Sequence, residues 1–356
     1  MKYLAVIILM LLMSLSVFAD KSMSQFNPNF NDMMDQALKG VTSYPNEYRE
    51  NTQPFSLFFF ADVHGDKTEL ERYCEFYSEK KHYFDDAFCA GDQMLSDPND
   101  DWTFWQNTKG AENIMFVMGN HDLWYQKRPE NGQKMLTDKE AYDKYYAPYV
   151  KGWNAVMDDG RTCFYKDYPE KKIRFMGINY LVADSDKEYQ IEWFKKSLED
   201  ARIKGYTVIA ATHCAPAVLP VSIESNWCEF DRDEGGREAE YSIPYCQAVK
   251  EFKQKGGKFA VWLAGHSHSD YLYVSKLFPD QLIMVIGETH RGGRAVYSQI
   301  VERDGTVSQD LANALVIDTT SKTLKAIRVG VHYDRYLRPI NALAINYESM
   351  KIITQW

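Results

Sequence analysis

Five short apolar runs along the chain each stop abruptly at polar residues. A fully apolar run of this length is typical of a strand that is buried on both faces of a sheet. A charged stretch with the character of a helix, residues 68–81, separates the first run from the second. This alternation predicts βαβ units and therefore an α/β fold. The five runs are residues 55–61, 87–90, 114–118, 207–212 and 259–264.

Side chains suited to metal binding or catalysis follow these five runs. Open α/β sheets bind ligands in the crevice beyond the carboxyl ends of their strands, so residues far apart in the sequence can meet there. Each motif alone is a weak signal, and it is their order along successive runs that carries weight. The residues are Asp62 and His64, Asp92, Asn120 with His121 and Asp122, His213, and His266 with His268.

An insert rich in aromatic residues lies at about residues 123–160, between the third and fourth runs. Thr137 and Glu140 form a capping box, which predicts a helix that begins near Asp138 and carries several tyrosines. These tyrosines either pack the helix onto the sheet or shape a substrate pocket.

The C-terminal part, residues 282–330, alternates short β-like runs with turn residues. This pattern predicts further strands that complete a second sheet. Because no repeat or low-complexity tract divides the chain, residues 54–356 are predicted to form a single domain.

The first residues predict export. Lys2 precedes an apolar run over residues 3–18, and Ala19 ends a short cleavage-site pattern, so residues 1–19 are predicted to be a signal peptide. The alternative is a membrane anchor, although a bilayer crossing requires roughly 20 apolar residues. Residues 20–53 are polar and are predicted to form an N-terminal extension, either a mobile leader or an arm on the surface. We expect a secreted or periplasmic protein with no membrane anchor after cleavage.

Composition limits the partners. The chain has 41 basic and 50 acidic residues, a net charge of −9 that disfavours binding to nucleic-acid backbones. It does not exclude a small phosphate ester at a metal site, because bound cations dominate the local field. The six cysteines are too scattered for a disulfide scaffold, although Cys228 and Cys246 flank a polar loop and a disulfide between them is one alternative. Nothing in the sequence indicates an oligomeric state.

The motifs D-x-H, G-D, G-N-H-D, a solitary H and G-H-x-H, in this order, resemble the calcineurin-like metallophosphoesterases. With the predicted signal peptide, the chain resembles a secreted bacterial member of that family. The resemblance covers about residues 55–268. It implies a β-sandwich of two mixed sheets flanked by helices, with the active site at the C-terminal ends of the strands.

The resemblance also implies a ligand set for two metal ions. Asp62, His64 and His268 would hold the first ion, Asn120, His213 and His266 the second, and Asp92 would bridge them. Imidazole, carboxylate and amide donors suit divalent or trivalent transition metals such as Mn, Zn or Fe. A hydroxide that bridges the two ions would attack phosphorus.

His121 and Asp122 are the predicted catalytic side chains outside the ligand set. By resemblance, His121 faces the substrate and stabilises the phosphoryl oxygens or protonates the leaving group. Asp122 either orients the ring of His121 or finishes the turn.

Near Asp92, this chain differs from the motifs of several subfamilies of the calcineurin-like metallophosphoesterases, and these differences make some activities less expected. Leu95 stands where purple acid phosphatases have Tyr and where many cyclic-nucleotide and glycerophosphodiester relatives have Asp or Asn. The Asp-Arg-Gly motif of protein Ser/Thr phosphatases is missing after Asp92. An iron site with a tyrosine charge-transfer band and protein dephosphorylation are therefore not expected.

Two arginines and a histidine near the C-terminal strands are candidates for substrate contact. His290, Arg291 and Arg294 follow an apolar run, and guanidinium groups suit bidentate phosphate binding. The alternative is a solvated turn.

We expect a phosphomonoesterase or phosphodiesterase that acts on a small-molecule substrate. One alternative is a nuclease or a phosphodiesterase of phospholipid head groups. Another is a protein that binds metal but has lost catalysis.

Overall fold

A computed structural model of the chain describes residues 29–39, 53–94, 102–123, 136–158, 160–179, 184–216, 220–223, 241–266, 271–286, 311–330 and 342–355. These residues form two mixed β-sheets flanked by helices, as the resemblance implies. The strands are β1 Phe55–Phe60, β2 Asp86–Cys89, β3 Ile114–Phe116, β4 Val156–Met157, β5 Phe164–Tyr168, β6 Ile173–Gly177, β7 Thr207–Ala211, β8 Pro220–Ser222, β9 Lys258–Ala264, β10 Tyr271–Ser275, β11 Leu282–Val285, β12 Leu311–Asp318, β13 Thr323–Gly330, β14 Ala342–Asn346 and β15 Lys351–Gln355.

The helices vary widely in length. They are α1 Phe30–Leu38, α2 Lys67–Glu79, α3 Thr103–Asn107, α4 Asn120–Leu123, α5 Asp138–Ala141, α6 Val150–Trp153, α7 Asp184–Lys204 and α8 Ile243–Gln254, with a π-helix at Tyr142–Tyr146 and 3-10 turns at Lys81–Tyr83 and Ala111–Asn113. The longest described helix is α7, and neither it nor another described helix combines the length and the apolar character that a bilayer crossing requires.

Each sheet contains a set of neighbouring parallel strands, at one side of the first sheet and in the middle of the second. The first sheet has the order β15-β14-β13-β12-β1-β2-β3, in which β1, β2 and β3 run parallel. The second has the order β4-β5-β6-β7-β9-β11-β10-β8, in which β6, β7, β9 and β11 run parallel. The carboxyl ends of the parallel strands in one sheet therefore meet at one edge of that sheet.

The five apolar runs are confirmed as strands, and β1 illustrates why they are apolar throughout. Phe58 packs outward on α2, with its ring 5.2 Å from Phe76. Phe59 points the other way, 6.3 Å from Phe88, whose ring lies 4.8 Å from Phe175 of the second sheet. Because side chains alternate across a strand, a strand between a helix layer and another sheet has no polar face.

The prediction for the C-terminal strands is wrong in part. Among them, β11 does join the second sheet, but β12 pairs antiparallel with β1 and β13 continues from it, so these strands extend the first sheet. Short apolar runs carry no information about their pairing partner, because pairing is decided by contacts distant in sequence. The predicted run within residues 295–301 lies outside the described residues.

The aromatic insert packs on the sheet, which is the first of the two predicted alternatives. The capping box is confirmed, because Thr137 accepts a hydrogen bond from the Glu140 backbone N–H and the Glu140 side chain accepts one from Thr137 N. The ring of Phe116 on β3 lies 4.9 Å from the rings of both Tyr146 and Trp153. Helix α5 gives way to a π-helix after four residues, so the predicted single helix is interrupted.

Part of the predicted N-terminal extension is an amphipathic helix. Helix α1 buries Phe30, Met33, Met34 and Ala37, and the ring of Phe30 lies 5.3 Å from that of Phe76. The spacing i, i+3, i+4, i+7 is the signal for such a helix and was present in the sequence. The predicted signal peptide lies outside the described residues.

Candidate metal centre

Backbone hydrogen bonds join the loops that follow the strands. The loop after β1 pairs with the loop after β2, because Asp62 N donates to Gly91 O at 2.9 Å and His64 N donates to Asp92 O at 2.9 Å. In the second sheet, Gly265 N donates to His213 O at 2.9 Å. These bonds fix the positions of the predicted ligands relative to one another before any side-chain contact is considered.

Four predicted ligands have a left-handed backbone conformation. The φ angles are 60° at Asp62, 50° at His64, 52° at Asp92 and 74° at His266. Residues with a Cβ rarely adopt positive φ, and strained backbone of this kind is concentrated at functional sites.

Two glycines of the motifs make close approaches that no other residue allows. Gly91 has φ +99°, and a Cβ there would lie 2.5 Å from His213 Nδ1. A Cβ at Gly119 would lie 1.9 Å from Asp92 Oδ1. The two glycines therefore let the loops close on Asp92 and His213.

Asp92 lies at the centre of the cluster and is fully buried. Its Oδ1 accepts a hydrogen bond from His121 N at 2.9 Å. Its Oδ2 faces three imidazoles, with Nε2 of His213 at 3.2 Å and Nε2 of His64 and His121 both at 3.9 Å. Burial alone would raise the pKa of Asp92, but the positive charge of the histidines, His213 above all, holds this pKa well below its usual range.

Asn120 and two histidines form the other half of the cluster. Asn120 Oδ1 lies 2.9 Å from His213 Nε2 and 2.8 Å from His266 Nδ1. His213 Nδ1 lies 2.7 Å from the carbonyl oxygen of Ala90, which can only accept, so Nδ1 carries a hydrogen and Nε2 points into the cluster. A histidine whose second nitrogen donates to a backbone carbonyl is oriented as metal-binding histidines are.

The residues that are present fit a metal ion. Around His213 Nε2, an amide oxygen and a carboxylate oxygen lie within 3.2 Å, so three electron pairs face one another in a buried space unless a proton or a cation separates them. Burial alone would lower the pKa of His213, yet Asp92 raises it to about 9, so a proton takes that place when no metal does. Ligands of this kind release protons on binding metal.

Asp92 belongs to two groups of ligand-type atoms. In one group, atoms of His64, Asp92 and His121 lie within 4.8 Å of one another; in the other, atoms of Asp62, Asp92 and His213 do so. Asp62 also accepts hydrogen bonds from His266 N at 3.0 and 3.1 Å, which ties the first sheet to the second.

The carboxylate of Asp122 is bound by backbone groups around its turn, which favours the second of its predicted alternatives. Its carboxylate accepts hydrogen bonds from the backbone N–H groups of Gly119 at 2.7 Å, Met94 at 2.9 Å and Gln93 at 3.4 Å. Both oxygens are thus engaged by backbone rather than by the ring of His121. Burial, together with the charge of Asp92, raises the pKa of Asp122 to about 7.

Two buried side chains of the cluster were missed from the sequence. Gln93 donates from Nε2 to Val117 O at 2.9 Å, which links the loop after β2 to the end of β3. Cys214 groups with His213 and His266. Gln93 directly follows Asp92, and Cys214 directly follows His213. This adjacency to a predicted ligand was the only signal in the sequence that could have identified them.

Several predicted residues cannot be placed. His268, His290, Arg291, Arg294 and Leu95 lie outside the described residues, as does Cys228. Cys246, its possible disulfide partner, is a buried thiol on α8. The roles of all the site residues remain predictions.

Comparison with known proteins defines the class. A family model described as calcineurin-like phosphoesterase matches residues 55–270, more than half of the chain. The chain belongs to the calcineurin-like phosphoesterase family, a family of metal-dependent enzymes, which confirms the resemblance and supports a hydrolase that acts on phosphate esters. No curated protein matches the chain.

Solved structures to which the chain is similar include phosphatases. A purple acid phosphatase from yellow lupin (Lupinus luteus) seeds has 13% identity and a TM-score of 0.49, over 84% of this chain and 55% of that one. The chain thus spans about half the length of the lupin enzyme. A dimetal phosphatase from Danio rerio has 12% identity and a TM-score of 0.47, over 82% of this chain and 99% of that one. A predicted phosphoesterase from Streptococcus pneumoniae has 14% identity and a TM-score of 0.33, over 81% of this chain and 94% of that one.

Proposed function

We propose that the protein hydrolyses a small phosphate ester at a site for two transition-metal ions, as a phosphomonoesterase or a phosphodiesterase. The observation that carries the proposal is the buried carboxylate of Asp92, which is shared by two groups of ligand-type atoms. One group comes from the loops of the first sheet, and the other adds His213 from the second sheet. One oxygen of this carboxylate, Oδ2, faces His64 and His121 of the first group and His213 of the second, and an oxygen shared by two groups is what a bridging ligand requires.

The proposed ligand assignment is the one that the family resemblance implies. Asp62 and His64, with His268, would hold one ion, and Asn120, His213 and His266 would hold the other, with Asp92 between them. Two ions held here would activate water and stabilise the charge on the phosphoryl oxygens. The mixture of imidazole, carboxylate and amide donors suits Mn, Zn or Fe.

His121 is the residue best suited to proton transfer. Its side chain is 21% exposed, whereas those of His64 and His213 are 4% and 0% exposed. Its backbone N–H is fixed on Asp92 Oδ1, so the ring has a defined position at the open side of the cluster. A proton on this ring can pass to the leaving oxygen, and such help is typically worth about 10²–10⁴ in rate.

His290, Arg291 and Arg294 are proposed to contact the substrate. The described residues on either side of their segment support this role. Strand β11 is parallel to β9 and ends at Val285, and β12 is antiparallel to β1 and begins at Leu311. Both positions lie at the edge of the sheets where the ligand loops begin.

The predicted signal peptide at residues 1–19 supports a secreted or periplasmic location.

The test is reconstitution of metal-free protein with Mn, Zn and Fe separately, followed by assays on aryl phosphate monoesters and diesters. We expect two ions per chain and metal-dependent hydrolysis that Asp92→Asn abolishes. Asp143→Asn is the matched control, because the Asp143 side chain is 59% exposed and the same chemical change there leaves activity unchanged.

Other outcomes would overturn the proposal in distinct ways. Two bound ions with no hydrolysis of either ester would make the protein a metal-binding protein without catalysis. Activity on nucleic acid or phospholipid head groups alone would favour the phosphodiesterase alternatives. Full activity of Asp92→Asn would refute the bridging role.

A further inference from the structure

A thiol lies in the half of the site formed by Asn120, His213 and His266. Cys214 is 1% exposed, and its Sγ lies with one nitrogen of His213 and one of His266 in a group whose atoms are all within 4.8 Å of one another. In a tetrahedral zinc site, neighbouring S and N ligands are about 3.5 Å apart. A contraction of at most about 1.3 Å, the scale of a side-chain adjustment, would bring this group to that geometry.

The surroundings of the thiol independently indicate a cation. His213 Nε2 is oriented by the hydrogen bond from Nδ1 to Ala90 O, and it lies 3.2 Å from the buried carboxylate oxygen of Asp92. His266 Nδ1 lies 2.8 Å from Asn120 Oδ1. Cys214 is thus not a lone cysteine, because the two histidines that share its group already take part in the cluster that fits a metal.

The thiol makes the two halves of the site chemically different. Among the described residues, the group of His64, Asp92 and His121 offers only nitrogen and oxygen donors. The half around His213 and His266 offers nitrogen, oxygen and sulfur. Thiolate ligands favour Zn over Mn, whereas carboxylate and water ligands suit Mn.

We propose that Cys214 is a further metal ligand, which binds as a thiolate to the ion held by Asn120, His213 and His266 and makes that position selective for zinc. On binding, the S–H bond breaks, the sulfur keeps the electron pair and donates it to the metal, and the proton leaves to the buffer. The inference rests on the proposed function, since it requires an ion in that half of the site.

The test is the absorption spectrum of the protein loaded with Co²⁺, because a thiolate bound to Co²⁺ gives a ligand-to-metal charge-transfer band in the near ultraviolet and nitrogen and oxygen donors do not. We expect this band in the wild-type protein and its loss in both Cys214→Ser and Cys214→Ala. Cys246→Ser is the matched control, because Cys246 is an equally buried thiol on α8 and its replacement should leave the band intact.

Metal content separates this inference from the function on which it rests. Two Co²⁺ per wild-type chain with no thiolate band would overturn the role of Cys214 and leave the two-metal site standing. A band that persists in both Cys214 variants would also overturn it. Fewer than two ions in the wild-type protein would instead contradict the proposed two-metal site.

Competition between metals gives a second readout. With Zn and Mn at equal concentration, the wild-type protein is expected to retain one Zn per chain more tightly than the Cys214→Ser variant, by about tenfold or more. Equal Zn retention by the two proteins, measured as metal content after dialysis, would contradict the selectivity.

Discussion

The replacement of Gly119 by alanine tests how closely the loops must approach at the metal centre. The added Cβ would lie 1.9 Å from Asp92 Oδ1 and 2.4 Å from the Asp92 backbone nitrogen, although Cβ atoms essentially never come within 3.0 Å of another atom. The carboxylate can rotate, but the backbone nitrogen cannot move without its loop. The loops after β2 and β3 must therefore separate by about 0.6 Å or more, because packed interiors transmit such strain.

The expected cost follows from this displacement. Overpacking of a well-packed region typically destabilises a protein by about 1–3 kcal/mol. Activity should suffer more, because Asp92 and Asn120 lie on the two loops that separate, and a misplacement of about 1 Å can cost about 100-fold in rate. We expect kcat/KM to fall by about 100-fold, equivalent to about 2.7 kcal/mol.

The assay combines steady-state hydrolysis of an aryl phosphate ester, metal content after dialysis and urea unfolding. Gly152→Ala is the matched control, because the nearest atom to a Cβ at Gly152 is Glu112 O at 3.9 Å, an ordinary contact. Gly152 lies in α6, where alanine is favoured over glycine, so this variant should be as stable as the wild-type protein or slightly more stable. If Gly119→Ala retained activity within twofold and both metals, the close approach would not matter for function.

Three further predictions concern buried charges. Asp122→Ala leaves three backbone N–H groups without their acceptor and should lower the free energy of unfolding by about 3 kcal/mol or more, measured in urea. Arg174→Ala should cost about 3 kcal/mol, because the fully buried guanidinium pairs with Asp167 and Asp200. Arg202→Ala should change stability little, because the side chains of its pair with Glu199 are 34% and 44% exposed. Burial lowers the pKa of Lys325 to about 8, from a value of 10.5 in the unfolded chain, so the folded protein loses this proton first as the pH rises. Burial of the charged amine therefore lowers the free energy of unfolding by about 3 kcal/mol below pH 8, and this penalty disappears between pH 8 and pH 10.5. Lys325→Met should therefore stabilise the protein at pH 7 by more than at pH 10, and an equal gain at both pH values would refute the assignment.

The five strands that precede the candidate ligands, and the order of those ligands, were predictable because both are local properties. A strand such as β1, covered by α2 on one face and by the second sheet on the other, must be apolar throughout, and the run ends where the chain leaves the core. Polar residues at these ends therefore stand out in the sequence itself. Helix α1 carried an equally local signal in its i, i+3, i+4, i+7 spacing, and the polar composition around it concealed the signal.

Sheet membership was not predictable, because it is decided by pairing between residues far apart in the chain. Phe59 of β1 pairs with Asn313 of β12, more than 250 residues later, and no feature of either strand identifies the other. Once β12 pairs with β1, β13 joins the same sheet because a short turn connects it to β12. A single non-local pairing therefore determines the sheet to which several strands belong. A β-like run alone predicts a strand and leaves its neighbour undetermined.

The conformation of the ligand loops combines both kinds of information. Asp62, His64, Asp92 and His266 have positive φ, which costs of order 1–3 kcal/mol at each residue and would not persist in an isolated segment. The loops keep it because they hold one another: His64 N bonds to Asp92 O, and His266 N bonds to the carboxylate of Asp62. The motifs therefore identify which residues meet, but only the assembled sheets determine how they face one another. A ligand loop removed from this context should relax, so the arrangement at Asp92 belongs to the whole sandwich rather than to one motif.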